Sequence, residues 1–576
     1  MRPVADRDLV AGHRVPPSHG ATSGPSPEGP TPTGPRPQTR PGGKDSQMDS
    51  YLTDLLDDDG LTALADVERA TRPERLRLMR ARKDLSRRIQ AGEDLDLDEA
   101  TRAVREDSTW RVASPPADLT YRLVELATPA TAEAAKAAMS AGTDVWVADL
   151  EDMLVPTPAR LTAAHQVIAE VATSRTGDPE PMVPTLMVRP RGLHLPEAHL
   201  LVDEQPVSAP VADVVTFLAR CAQVLLDNGT GPYLYLPKLE TGAEAVWWDD
   251  LLTRSEEALG LPAGCTRVSV LVETVQSVYQ LEEILHALRH RVTGLAAGRW
   301  DYVFSHLRTY GHRPDHTLPD RDAFTMNTRF LRTYTEVIVR TCHRRGVQAI
   351  GGPIALAASG PFDESVAMTH ARVHRDKARE AKQGFDGAWT LHPALVPVAR
   401  APFEERDRLA GDDATGRWRA QGGDEPQVVV DPEALRDVSA LPGTATLTGM
   451  RTALRSSLTY LTGWLAGDGT AVISGHIEDF GTVELARMQL WQWLAHETRF
   501  AEGPTMSPRL LDRVLEDEVA LIRRRGARED LLQHAVRLLR DAVVAQEPPA
   551  FLSVQAYEVL LTVSRSAGSL EGGSAA

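Results

Sequence analysis

Through the middle of the chain, short apolar runs recur, each closed by a polar residue or glycine and followed by a longer stretch of helical periodicity. Eight of these runs read as strands: Leu123–Leu126, Asp144–Asp149, Thr185–Arg189, Tyr233–Leu236, Val268–Glu273, Val292–Leu295, Val347–Ile350 and Gly387–Leu391. Strand and helix alternating in this way is the signature of repeated βα units. On either side the pattern changes. From Tyr51 to about Ala103, apolar residues such as Leu76, Leu78 and Met79 recur among Arg, Asp and Glu, which predicts amphipathic helices. After a polar, Gly- and Asp-rich connection, the sequence is again helix-patterned, most clearly along the stripe Leu485, Met488, Trp491 and Ala495.

Eight units predict an α/β fold, a TIM-type (β/α)8 barrel, with an N-terminal helical region and a helical C-terminal domain. The competing architecture is an open doubly wound sheet. The number of units, and the lack of a GxGxxG after the first strand, favour the barrel. The expected boundaries are a disordered Pro/Gly-rich tail over 1–50, the helical region over 51–115, the barrel over 116–402, a linker over 403–425, the C-terminal domain over 426–567 and a flexible tail over 568–576.

Composition narrows the function classes. With 42% hydrophobic and 25% charged residues the chain is of ordinary globular type. Its 80 acidic against 63 basic residues give a formal charge of −17, which argues against nucleic-acid or anionic-membrane binding. An anionic substrate therefore needs a locally basic pocket. Cys221, Cys265 and Cys342 are too few and too scattered for a disulfide framework or a CxxC metal site, and a reducing compartment is expected. No run approaches the roughly 18 consecutive apolar residues of a membrane span, the N-terminus lacks a secretory core, and the closing Gly573–Ala576 is no peroxisomal address; a cytoplasmic location is expected.

Charged residues gather where the strands end: Glu151 and Asp152, Arg189 and Arg191, Lys238 and Glu240, Glu273, and Asp301. In a barrel of this type that rim is the active-site face. Glu273 and Asp301 follow neighbouring strands, and two carboxylates plus water suit Mg²⁺, which prefers six oxygens. Each could equally be an ion-pair partner of Arg189, Arg191 or Arg299. A guanidinium at Arg189 or Arg191 stays protonated and could face developing negative charge, or simply neutralise adjacent acids. Asp479 precedes a helix, where a carboxylate commonly acts as a cap; as a base it would need the C-terminal domain folded over the barrel mouth. His194 reads as a packing residue, and Cys342 as a small buried one at the end of a barrel helix.

Five segments in order carry a resemblance: VRPRGLHLPEAH at 188–199, GPYLYLPK at 231–238, LEEILHALRHRVTGLAAGRWDY at 281–302, TCHRRG at 341–346 and IEDFGTVELARMQLWQWLAH at 477–496. Over roughly 105–500 the sequence resembles the shorter, A-type malate synthases, without the inserted α/β domain of the longer isoform. That resemblance implies a Mg²⁺-dependent acyltransferase of the glyoxylate bypass that condenses acetyl-CoA with glyoxylate and hydrolyses the thioester to malate and CoA. It implies Glu273 and Asp301 as metal ligands, Arg189 as the essential arginine and Asp479 as the catalytic aspartate. Gly298, Arg299, Trp300 and Asp301 match the glyoxylate-binding turn, Glu151 and Asp152 an acidic pair supporting the metal's water shell, and Pro393 a CoA contact. Met153 stands where the family usually has Ser, and Phe480-Gly481 where it has Ala-Ala. A malyl-CoA lyase-like enzyme without the hydrolysis step and a catalytically silent barrel scaffold are the alternatives, and the oligomeric state, monomer or homo-oligomer, stays open.

Overall fold

The computed structural model describes residues 51–174, 183–358, 364–410 and 430–572. The tail expected over 1–50, most of the linker expected over 403–425 and the last four residues lie outside them. Among the described residues twelve strands occur: β1 Val124–Pro129, β2 Val145–Asp149, β3 Thr185–Arg189, β4 Pro196–Val202, β5 Gln205–Ser208, β6 Tyr233–Leu236, β7 Arg267–Val272, β8 Val292–Ala297, β9 Gln348–Gly351, β10 Gly387–Thr390, β11 Ala471–Ile473 and β12 His476–Glu478.

Eight of them close a parallel barrel in the order β1-β10-β9-β8-β7-β6-β3-β2. Closure is explicit at β1, which pairs with β2 on one side (Pro129 opposite Asp149) and with β10 on the other (Leu126 opposite Thr390), so the open doubly wound sheet is ruled out. All eight expected strands are these eight, displaced by a few residues at most. Their side chains are buried almost without exception, because barrel interior and helical shell cover both faces. Among the described residues one helix, Ala209–Asp227, is apolar and long enough to cross a membrane; most of it is buried, packed between the helices Pro158–Ser174 and Asp58–Gln90.

Two antiparallel hairpins escape the sequence reading. The β4–β5 turn places Asp203 and Glu204 at φ 54° and 62°, and the β11–β12 turn places Ser474 and Gly475 at φ 53° and 78°. Both are two-residue turns of the kind usually marked by Asn-Gly or Asp-Gly, and neither carries that dipeptide.

The N-terminal region is built mainly on one long helix, Asp58–Gln90, which runs on through Pro73, lies across the barrel helices and is followed by the short helix Arg102–Glu106. Leu78 is buried on it, but Leu76 is 41% exposed: positions two apart on a helix point to nearly opposite faces. The polar connection expected from 403 starts later. Helix Val396–Ala410 continues past Pro402 because Val396, Ala399, Pro402 and Phe403 form one buried stripe against the barrel. At the other end, the helix Phe480–Ala495 is buried on every side and not along a single stripe. It is enclosed by the helices Arg299–Tyr310, Leu447–Ala466 and Glu529–Val544. It is also fastened to the barrel by its own side chains: Trp493 donates to Leu318 O at 2.8 Å, Gln492 to His316 O at 2.9 Å and Gln489 to Pro319 O at 2.7 Å.

Candidate active site

The strand ends bring one group of charges together. Arg189 is the last residue of β3, and its Nη2 pairs with Asp149 at the end of β2 and with Asp152 Oδ2 at 3.3 Å, while Nε lies 3.7 Å from Glu151 Oε2. Lys238, two residues beyond β6 and in a left-handed conformation at φ 53°, points its ammonium into the same centre. Its Nζ lies 2.7 Å from Asp152 Oδ2, 3.2 Å from Glu151 Oε2 and 3.3 Å from Asp301 Oδ1, and its backbone N–H donates to Glu273 Oε1 at 2.7 Å. Glu273 directly follows β7. Asp301 stands in the first turn of the helix after β8, reached through Gly298, where a Cβ would come within 2.6 Å of Glu273 Cβ. Only glycine lets that turn lie against Glu273.

Asp479 reaches the centre from outside the barrel. It caps the helix Phe480–Ala495, accepting from Thr482 N at 3.1 Å, so the capping role read from the sequence is real. It is not the whole of its environment. Phe480 N donates to Asp152 O at 3.3 Å, and Phe480 packs edge-on against Tyr460 and Trp464, which presses this helix end onto the barrel rim. Burial, with Asp152 and Asp301 nearby, pushes the Asp479 carboxyl up to about 8.

Glu273 is likewise pushed up to about 8, by burial first and by Asp301, against the pull of Lys238. Burial also raises Asp301 and, with Asp152 beside it, raises Glu151 strongly. Asp152 goes the other way: burial works against its charge, but Lys238 and Arg189 outweigh it. The cause is common. Six carboxyl groups, Asp149, Glu151, Asp152, Glu273, Asp301 and Asp479, surround two cations, Arg189 and Lys238. Such an excess of buried acid must take up protons or another cation.

The donor set fits a hard divalent ion. All the available ligands are oxygens, Asp301 Oδ1 makes no hydrogen bond beyond its ion pair, and Glu151 Oε1 has no hydrogen-bond partner. Among the described residues no three His, Cys or carboxylate groups gather closely enough to ligate one ion by themselves. A pair of carboxylates that leaves the remaining positions to water and substrate is the usual Mg²⁺ arrangement.

The other expected residues are placed as follows. Arg299 and Trp300 continue the Gly298 turn, with the Arg299 guanidinium carbon 4.2 Å from the centroid of the Trp300 indole. Pro393 opens a short turn beyond β10 on the same rim. Arg191 turns away from the centre to Asp213 and Glu197, each at 2.7 Å, and His194 stacks on Phe551 at 3.9 Å. Met153 is buried among apolar side chains inside the barrel mouth. Lys238 and Asp149 are central here, yet the sequence marked Lys238 only as one of several rim charges and Asp149 only as the end of a strand. The signal for Lys238 was its position two residues past a strand, shared with many structural lysines; Asp149 was hidden as the last residue of its strand.

Fold and site together define a barrel enzyme whose buried acidic centre is completed by a carboxylate from a helix outside the barrel. Residues 185–415 match the family model for the malate synthase TIM barrel domain, and residues 444–560 that for the malate synthase C-terminal domain. Malate synthase of Streptomyces clavuligerus is 37% identical over 525 residues, covering 88% of this chain and 96% of that one. Malate synthase of Oryza sativa subsp. japonica is 36% identical over 89% of this chain and 94% of its own, and malate synthase A of Escherichia coli (strain K12) 32% identical over 91% and 97%. The chain belongs to the malate synthase family.

Proposed function

We propose that this protein is a malate synthase that joins acetyl-CoA to glyoxylate and hydrolyses the resulting thioester, giving malate and CoA. The observation that carries the reading is the convergence of Asp479, from the C-terminal helices, on the rim group of Arg189, Glu273 and Asp301. Glu273 and Asp301 would hold Mg²⁺, with Glu151 and Asp152 supporting its waters. When bound, the ion supplies Lewis acidity toward a 2-oxo acid and the positive charge that this acidic centre lacks.

The chain's own residues supply the rest. The methyl group of an acetyl thioester is a very weak acid, so base and cation must act together. Asp479, ionised, takes the methyl proton. Arg189 stays protonated and stabilises charge on the enolate oxygen as it forms. The enolate carbon attacks the aldehyde carbon of glyoxylate, held against the Gly298–Asp301 turn, and the new alkoxide is protonated. Water then displaces CoA from malyl-CoA. Burial of the centre beneath the helix Phe480–Ala495 excludes bulk water from the carbanion step. A cytoplasmic setting is in keeping with Cys221, Cys265 and Cys342, all of them free thiols.

The test is Mg²⁺-dependent release of free CoA from acetyl-CoA and glyoxylate, with malate identified as product. Asp479→Asn should fold, bind glyoxylate and lose at least about two orders of magnitude in CoA release, the ordinary scale of general-base catalysis. Near-normal turnover by that variant would remove Asp479 from the mechanism. Accumulation of malyl-CoA without free CoA would reassign the protein to lyase chemistry.

A further inference from the structure

Beside the carboxylate centre, beyond the Gly298 turn, a cavity of about 450 Å³ has the opposite character. Five guanidinium groups line it: Arg299 from the turn itself, Arg321 from the segment after the β8 helix, and Arg372, Arg375 and Arg379 from one face of the helix Glu364–Gln383. In a protein of charge −17 such a concentration of one sign calls for a physical reason.

Ion pairing accounts for only two of the five. Arg321 is held by Glu478 at 2.8 Å and Arg379 by Asp376 at 2.7 Å. Asp376 is also 3.3 Å from Lys377, so it is already shared, and Asp322 is the other acid on the wall. Among the described residues no carboxylate pairs with Arg299, Arg372 or Arg375. Arg299 Nε and the neighbouring Trp300 Nε1 are buried donors with no hydrogen-bond partner. Burial lowers the pKa of Arg299, and the nearby Arg379 and Arg321 add to that. Leaving buried donors unmet is unfavourable, more so for charged ones, unless a ligand meets them.

A spread of forked, permanently charged donors, with an indole N–H among them, matches an anion with many acceptor oxygens: phosphate. We propose that this cavity binds the phosphate groups of an organophosphate ligand. Its volume accommodates a diphosphate with part of its organic substituent. The ligand is either the phosphate-bearing end of the acyl-CoA substrate, an assignment that rests on the function proposed above, or a separate phosphorylated metabolite that acts on the enzyme from beside its centre.

The experiment uses the full chain and the double variant R372Q/R375Q, whose side chains are exposed and outside the carboxylate centre. Calorimetric titration with inorganic pyrophosphate, in buffer freed of divalent ions, should show saturable binding to the wild type that weakens with salt and falls by about tenfold or more in the variant. Kinetics then separate the sources. A KM for acetyl-CoA raised by about tenfold, with kcat and the KM for glyoxylate unchanged and pyrophosphate competing with acetyl-CoA, assigns the site to the acyl-CoA phosphates. An unchanged KM for acetyl-CoA, with pyrophosphate binding still lost, assigns it to a separate metabolite. No saturable binding to the wild type, or equal binding to both proteins, overturns the proposal. The titration does not depend on turnover, so an inactive protein that still binds pyrophosphate through these arginines would sink the functional reading and leave this one standing.

Discussion

A methyl group placed on Gly481 would lie 2.8 Å from Asp301 Oδ2. One residue belongs to the first turn of a C-terminal helix, the other to the barrel rim, and their contact brings Asp479 over the carboxylates. In this chain the two parts of the site close on a glycine at 481, where the family usually has Ala. The atom that must give way to a Cβ is the carboxylate oxygen of the residue proposed to hold the metal.

Gly481→Ala is therefore expected to separate stability from activity. In a helix the exchange alone favours alanine by roughly 1 kcal/mol, so the melting temperature should change little. Displacement of Asp301 should lower kcat and weaken Mg²⁺ dependence by about tenfold or more, in keeping with the cost of misplaced reacting groups. Steady-state kinetics over a Mg²⁺ series, beside thermal melts, check both halves; unchanged kinetics would mean that the contact carries no positioning role.

Lys238 contacts three carboxylates, so Lys238→Met leaves them without their shared cation. Removing one partner of a buried ion pair typically costs about 3–5 kcal/mol. The expected outcome is a lower melting temperature, an inactive or nearly inactive enzyme, and a larger stabilisation by Mg²⁺ than the wild type shows. Thermal melts of both proteins with and without Mg²⁺ measure it, and equal shifts would argue that Lys238 and the ion do not share these acids.

Metal removal should be visible without an assay. A ligand that binds only the folded state stabilises it by about 2.7 kcal/mol at one hundred times its Kd. Wild-type melts are expected to rise with Mg²⁺ and fall back on chelation. In the double variant Glu273→Gln, Asp301→Asn the response should vanish, and a persistent response would place the ion elsewhere.

Glu197 predicts how acid unfolds the protein. Burial opposes its charge, but Arg191 and His199 outweigh burial and hold it at about 2, below its ordinary 4.5. Because the folded value is the lower one, the stabilisation is complete above about pH 4.5 and is lost as pH falls toward 2; its size is about 3 kcal/mol. The contacts to Arg191 at 2.7 Å and Tyr557 at 3.3 Å place that loss between barrel and C-terminal helices. Denaturant unfolding from pH 6 to pH 2 should show a steeper decline in wild type than in Glu197→Gln, and parallel curves would exclude this carboxylate as a source of acid lability.

All eight barrel strands were readable because each is a short apolar run between polar stops, and burial of both faces imposes that pattern locally. Glu273, Asp301 and Arg189 were readable as rim residues for the same reason: residues at or just past the end of a buried strand stand on the active-site face. The β4–β5 and β11–β12 hairpins were not, since their turns lack the dipeptides that usually mark them.

By itself, then, the sequence determined the strand–helix alternation, the strands whose ends carry charge, and the family motifs. Tertiary structure decided that Lys238 and Asp149 join the centre, that Arg191 leaves it for Asp213 and Glu197, and that Asp479 arrives from 178 residues beyond Asp301. It also decided the burial, and beside it the neighbouring acids, that raise Asp479 and Glu273 to about 8. Periodicity reports which face of an element is buried; how many charges meet, and how strongly burial opposes them, depends on contacts between elements distant in the chain.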